Sequence, residues 1–218
     1  MSGTPKAETV LTPAGEARIH WFAGDRARLV LALGHGAGGG VEARDLRALA
    51  TALPARGVTV ALVEQPWRVA GRKVAPAPRT LDAGWTALWP ALAAPGLPVV
   101  AGGRSAGARV ACRTGEALGA RAVLALAFPL HPPGKPEKSR AGELTGAGLP
   151  VLVVQGGRDP FGRPEEFRAV GLPGDTELAE VPGGDHGFAV PKRAEAGQDE
   201  VLAVLTGAVA DWLARTVP

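Results

Sequence analysis

A serine that could act as a nucleophile stands at position 105, within Gly103-Arg104-Ser105-Ala106-Gly107. The pattern is GxSxG, with a short apolar run ahead of it and an alanine-rich segment of helical spacing behind it. That order of strand, tight turn and helix is the setting of a nucleophile elbow. Crowding accounts for the two glycines, because the turn strains the serine backbone and leaves almost no room for side chains two residues to either side. A hydroxyl is a weak nucleophile at neutral pH and needs a neighbouring base, itself oriented by a third group. Four histidines are available: His20, His35, His131 and His186. Only His186, in Gly183-Gly184-Asp185-His186-Gly187-Phe188, follows the last predicted strand and precedes the last predicted helix, where a chain order of serine, acid, histidine puts the base. The acid is read as Asp159, in Gly156-Gly157-Arg158-Asp159-Pro160, directly after another apolar run. Asp185 is the rival, but as the sequence neighbour of His186 it would reach that ring with poor geometry.

Acyl transfer at Ser105 also requires donors for an oxyanion. The backbone N–H of Ala106 is one candidate, and Ala37, in the loop Gly34-His35-Gly36-Ala37-Gly38-Gly39-Gly40, is the other. Gly34, Gly36 and Gly39 of this loop formally match GxGxxG. The match is cheap in so glycine-rich a run, and the GxxxxGK[ST] lysine is missing, so nucleotide binding is set aside. His35, Arg104 and His131 are candidate substrate contacts. Plainer readings stand beside them: Arg104 and Arg158 as solvated or salt-bridged rim residues, His131 and Lys135 as parts of a solvated loop. Cys112 reads as a small buried hydrophobe rather than a reactive thiol.

The elements that must position these residues alternate along the chain. Ala17 to Phe22 and Arg28 to Leu33 read as strands; the Gly24-Asp25 turn signal between them predicts an antiparallel pair. Ala43 to Ala55 has helical spacing closed by Gly57, and Val58 to Val63 is an apolar run suited to a strand buried on both faces. Thr80 is read as the cap of a helix carrying Leu81, Trp85, Leu88 and Leu92. Then come a strand from Pro98 to Ala101, a helix from Ala106 to about Leu118, and strands at 122–128 and 151–155. A short helix near Pro164 to Ala169, a strand from Thr176 to Val181 and a helix from Asp199 to Arg215 complete the series. Such alternation predicts an α/β fold with a mostly parallel central sheet of about six to seven strands, helices on both faces, and functional residues at the carboxyl ends of the strands. About twenty residues separate Phe128 from Val151, too few for a helical cap domain, so the site is expected to be shallow or covered by a short loop.

With 218 residues, the chain is read as a single domain over 1–218, with 1–16 as a loosely ordered N-terminal segment. A formal charge of +3 spread along the chain, without basic runs or interleaved aromatics, argues against a nucleic-acid partner. The sequence has no apolar run of membrane-spanning length and no signal-peptide core, so no membrane partner and a cytoplasmic location are expected. Histidine, cysteine and acid spacings do not match a metal site, and neither metal nor cofactor is implied.

Together, Gly34-His35-Gly36-Ala37-Gly38, the serine elbow, Arg158-Asp159-Pro160 and Asp185-His186-Gly187-Phe188 resemble the α/β-hydrolase superfamily. The chain is similar, more narrowly, to small dienelactone-hydrolase-like bacterial members. Phe128-Pro129-Leu130-His131-Pro132-Pro133-Gly134-Lys135-Pro136-Glu137 also resembles a segment of that branch, shared with the hydrolase-like domain of some chromatin-complex subunits. The resemblance, running from about residue 17 to 215, implies acyl-serine chemistry by Ser105, Asp159 and His186. Dienelactone hydrolases proper carry a cysteine nucleophile, so their substrate does not transfer to a serine protein. The expected activity is hydrolysis of a small ester or thioester, with a small acyl compound as the partner molecule. A non-catalytic interaction protein with a vestigial triad, or an acyltransferase using an alcohol in place of water, are the alternatives.

Overall fold

The computed structural model describes residues 6–217. Its strands are β1 (Lys6–Thr12), β2 (Gly15–Phe22), β3 (Leu29–Gly34), β4 (Val58–Glu64), β5 (Val99–Arg104), β6 (Val123–Leu126), β7 (Val151–Gly156) and β8 (Thr176–Val181). The helices are α1 (Arg44–Ala52), α2 (Pro66–Val69), α3 (Pro78–Ala93), α4 (Ala106–Thr114), α5 (Ala141–Thr145), α6 (Pro164–Ala169) and α7 (Gln198–Thr216). All eight strands form one sheet in the order β1-β2-β4-β3-β5-β6-β7-β8. From β4 to β8 every neighbouring pair is parallel, while β1 with β2 and β2 with β4 are antiparallel.

Strand alternation divides the core into two layers. Leu29, Leu31, Leu33, Val60, Leu62, Leu124, Leu126, Leu152 and Val154 point to the face covered by Leu46 and Leu49 of α1 and Leu205, Val209 and Trp212 of α7. Val30, Ala32, Ala61, Val63, Ala101, Val123, Ala125 and Val153 point to the other, where Trp85, Leu88, Ala108 and Val110 of α3 and α4 cover them. Being buried on both sides, the inner strands are continuously apolar rather than alternating.

Several sequence expectations are corrected here. β2 and β3 are not partners, because β4 lies between them, with Ile19 opposite Val63 on one side and Leu31 opposite Val60 on the other. The Gly24-Asp25 turn does not close a hairpin. It crosses the start of β4, where a Cβ on Gly24 would sit 2.6 Å from the Val58 carbonyl carbon and the Asp25 N–H donates to Pro54 O (2.9 Å). Of the segment 1–16 expected to be loosely ordered, residues 1–5 lie outside the described residues, and Lys6–Thr12 is a strand that raises the sheet from about six or seven strands to eight. It pairs from Lys6–Trp21 to Thr12–Gly15, and the turn between is tied by a hydrogen bond from Thr12 Oγ1 to Gly15 O at 2.7 Å. α3 starts at Pro78 rather than being capped by Thr80, since proline at a helix N-terminus forfeits no intrahelical hydrogen bond. α4 stops at Thr114 rather than near Leu118. Between β6 and β7 lie only a single 3₁₀ turn and the five-residue α5, so no helical cap is inserted there.

Candidate active site

The carboxyl ends of β3, β5 and β7 and the loop after β8 converge on one spot, and Ser105 stands at its centre. Its φ of 52° and ψ of −110° place a non-glycine residue in a sparsely populated region of backbone space, at a cost of order 1–3 kcal/mol. The packing on either side maintains that conformation. A Cβ on Gly103 would lie 2.6 Å from Gly34 O and from the Gly107 carbonyl carbon, and one on Gly107 would collide with Gly34 O. Three glycine backbones from β3, β5 and α4 therefore touch directly. The Ser105 N–H donates to Leu126 O at 2.9 Å, tying the turn to the neighbouring strand.

His186 and Asp159 reach this serine from different loops. Ser105 Oγ and His186 Nε2 are 3.0 Å apart, and His186 Nδ1 donates to Asp159 Oδ2 at 2.8 Å. This network puts the ring proton on Nδ1 and turns the Nε2 lone pair toward the hydroxyl. Asp159 is fully buried, and its Oδ1 accepts the Phe161 N–H at 2.8 Å. Asp185 serves its own loop instead, accepting the N–H groups of Gly187 (2.7 Å) and Ala189 (2.9 Å).

Two neighbours were not legible in advance. Gln155, at the end of β7, donates through Nε2 to both Asp159 Oδ2 and Gly162 O, each at 2.8 Å, and is itself fully buried. One polar residue closing the apolar run Val151 to Val154 was the only available hint. Phe161 stacks on His186 with ring centroids 4.2 Å apart, a contact that sequence proximity to Asp159 does not disclose.

Ala37 and Ala106 line one small pocket together with Trp67 and Val110. The Ala106 N–H opens α4 and belongs to the first helical turn, whose donors have no intrahelical acceptor. The Ala37 N–H is not engaged by any described backbone or side-chain acceptor.

Each of the three candidate substrate contacts has partners within the protein, and His35 also lines the pocket beside Ala37 and Ala106. His35, 2% exposed, donates from Nδ1 to Gly36 O at 2.9 Å and accepts the Gln65 N–H on Nε2 at 3.1 Å. Burial holds its pKa below the ordinary histidine value and favours this neutral ring. His131 places Nδ1 on Pro132 O (2.9 Å) and Nε2 on Glu166 Oε2 (2.8 Å), joining the segment after β6 to α6. Arg104 does not sit on the rim: its side chain is only 15% exposed and turns inward toward Asp45 and the His186 carbonyl. Arg158 and Lys135 are exposed. Cys112 is buried, and burial pushes its thiol pKa up to about 12, as expected of an inert packing residue.

A mostly parallel sheet flanked by helices, carrying a serine turn at the carboxyl end of a central strand, defines the α/β-hydrolase class. The chain belongs to it: the alpha/beta hydrolase domain family matches residues 25–214. Among solved structures, the chain is similar to XC6422 from Xanthomonas campestris, described as an α/β serine hydrolase without a lid. That match has a TM-score of 0.76 at 19% identity and covers 100% of this chain and 97% of that one. A dienelactone hydrolase from Anabaena variabilis aligns with TM-score 0.73 and 17% identity over 99% of this chain and 100% of that one. Est1E from Butyrivibrio proteoclasticus gives 0.71 and 14% over 97% and 98%. At these identities the likeness is one of fold. No curated protein matches the chain in sequence. Among the described residues, no helix is long and apolar enough to cross a membrane.

Proposed function

We propose that the protein is a serine hydrolase that cleaves a small ester or thioester through an acyl-serine intermediate. The observation that carries this reading is the continuous row Ser105–His186–Asp159, with links of 3.0 and 2.8 Å, on a strained elbow. His186 Nε2 takes the hydroxyl proton as Oγ attacks the acyl carbonyl, and the carbonyl electron pair moves onto an oxyanion facing the Ala37 and Ala106 N–H groups. The imidazolium that forms is stabilised by buried Asp159, and it returns its proton to the leaving alcohol or thiol as the tetrahedral intermediate collapses. Water, deprotonated by the same ring, then releases the acid and restores Ser105. The absence of a cap and the small size of the pocket beside the two alanines support short acyl groups.

A fluorophosphonate probe and a panel of p-nitrophenyl esters of increasing chain length test this reading. Wild-type protein should label at Ser105 and turn over the shorter esters. Ser105→Ala should abolish labelling, and Ser105→Ala or His186→Ala should each reduce kcat by on the order of 10⁴-fold or more. Absence of labelling, or equal labelling after His186→Ala, would return the protein to the non-catalytic interaction reading. Ester products formed with added alcohols would make it an acyltransferase.

A further inference from the structure

The side chain beside the nucleophile contacts the loop of the proposed base and the loop of the proposed oxyanion donor Ala37. Arg104 immediately precedes Ser105. Its Nη2 donates to the main-chain oxygen of His186 at 2.6 Å. Its Nη1 packs against the oxyanion loop so closely that a Cβ on Gly36 would lie 2.9 Å from it. Its Nε faces Asp45 Oδ2 at 3.4 Å. Asp45 stands in the first turn of α1, at the far end of that same loop, and is fully buried.

Asp45 is an expensive residue to retain there. Neither of its carboxylate oxygens makes a conventional hydrogen bond among the described residues, and Arg104 is its ion-pair partner. Burial raises its pKa above the ordinary carboxylate range, against the opposing pull of Arg104. Buried ion pairs of this kind are often no more stabilising than apolar residues of the same shape, so stability alone is a weak reason for the pair. Direction is a stronger one. The planar guanidinium spreads its donors at fixed angles, and here those angles point to a helix, a loop and the carbonyl of the proposed base.

We propose that Arg104, anchored by Asp45, is a positioning residue that fixes the main chain of His186 and thereby the approach of its ring to Ser105, without touching substrate. This rests on the serine-hydrolase reading. The consequence is a loss in kcat rather than in KM when the anchor is removed, because a misplaced base hinders the chemical step and leaves binding intact.

The decisive variant is the double substitution Arg104→Met with Asp45→Asn, which removes both charges together. Its melting temperature should stay near that of wild type, whereas Arg104→Met alone, which strands a buried carboxylate, should melt earlier. On p-nitrophenyl acetate the double variant should lose about tenfold to a hundredfold in kcat, with KM unchanged within about twofold. Arg104→Lys, which keeps one charge but not the fork, should fall between and serves as the informative variant if the double one does not fold. A double variant with wild-type kcat would overturn the proposal in favour of a purely structural pair, and a rise in KM at constant kcat would make Arg104 a substrate contact. The low-field proton resonance of His186 Nδ1–H gives a reading that does not need turnover: it should be sharp in wild type and broadened or shifted in the double variant and in Arg104→Lys. An unchanged resonance overturns the proposal. A wild-type protein that neither labels nor turns over would instead sink the hydrolase reading and leave the resonance test standing.

Discussion

At the scale of single residues, Asp159 depends on groups beyond His186. It is fully buried and accepts from His186, Gln155 and the Phe161 N–H. A carboxylate taken out of water must recover those hydrogen bonds from the protein, and Gln155 provides one while also satisfying Gly162 O. Gln155→Leu therefore removes a donor from the acid and leaves a backbone carbonyl unpaired. The expected result is a loss of about 1–3 kcal/mol in stability by denaturant unfolding, accompanied by a drop in ester turnover. Retention of both would show that water replaces the amide.

At the scale of elements, the elbow depends on contact between β3, β5 and α4. Gly107→Ala drives a methyl into Gly34 O, so the helix must shift away from the sheet. A destabilisation of about 1–3 kcal/mol or more is expected, with fluorophosphonate labelling falling further than stability accounts for, because Ser105 moves with the helix. α4 is otherwise well anchored. Arg109 grips Glu143 of α5 at 2.6 and 2.8 Å, and Arg113 grips Asp82 of α3 at 2.6 and 3.0 Å. Trp67, in α2, together with Gln65 and Leu81, forms a wall between the small pocket beside Ala37 and Ala106 and a groove of about 410 Å³. Trp67→Ala should open that wall, and the ratio of turnover on longer to shorter p-nitrophenyl esters should rise. An unchanged ratio would mean that the groove is not reached from Ser105.

At the scale of the whole molecule, the His131–Glu166 contact joins the segment after β6 to α6, and its contribution to stability depends on pH. The His131 pKa lies above the ordinary 6.5, first through Pro132 O and then through Glu166. Glu166 lies below the ordinary 4.5, first through the Arg163 N–H and then through His131. A raised histidine contributes fully below its unfolded value and loses that contribution as pH rises through the folded one. A lowered carboxylate contributes above its unfolded value and loses it as pH falls through the folded one. The pair is therefore most stabilising between pH 4.5 and 6.5. His131→Gln should lower the melting temperature most in that window, and the gap to wild type should narrow toward alkaline pH. His35 acts oppositely, contributing at higher pH and losing that contribution on acidification. Comparing the variant with wild type at each pH separates the two.

How much of this was legible depends on how locally each feature is encoded. Alternation of apolar runs with helical segments determined the α/β class, and GxSxG determined a turn too tight for side chains on either side of Ser105. Strand ends followed by glycine singled out Asp159 and His186, because a parallel sheet gathers residues at its carboxyl edge whatever its strand order. Strand order itself was decided only in three dimensions. Whether β3 pairs with β2 or with β4 depends on how each face is covered, and the Gly24-Asp25 signal describes a bend without saying what the bend crosses. The edge strand β1 escaped notice because its exposed, polar residues are ordered by pairing with β2 rather than by burial. Sequence position makes Arg104, His35 and His131 candidates for the site through the loops they occupy, but the partners of their side chains are set only by tertiary contacts. A charged or polar side chain near a reacting group can face outward to a ligand or inward to a buried partner. Asp45, the Gln65 N–H and Glu166 are the partners that turned these three inward, and each comes from an element distant in sequence.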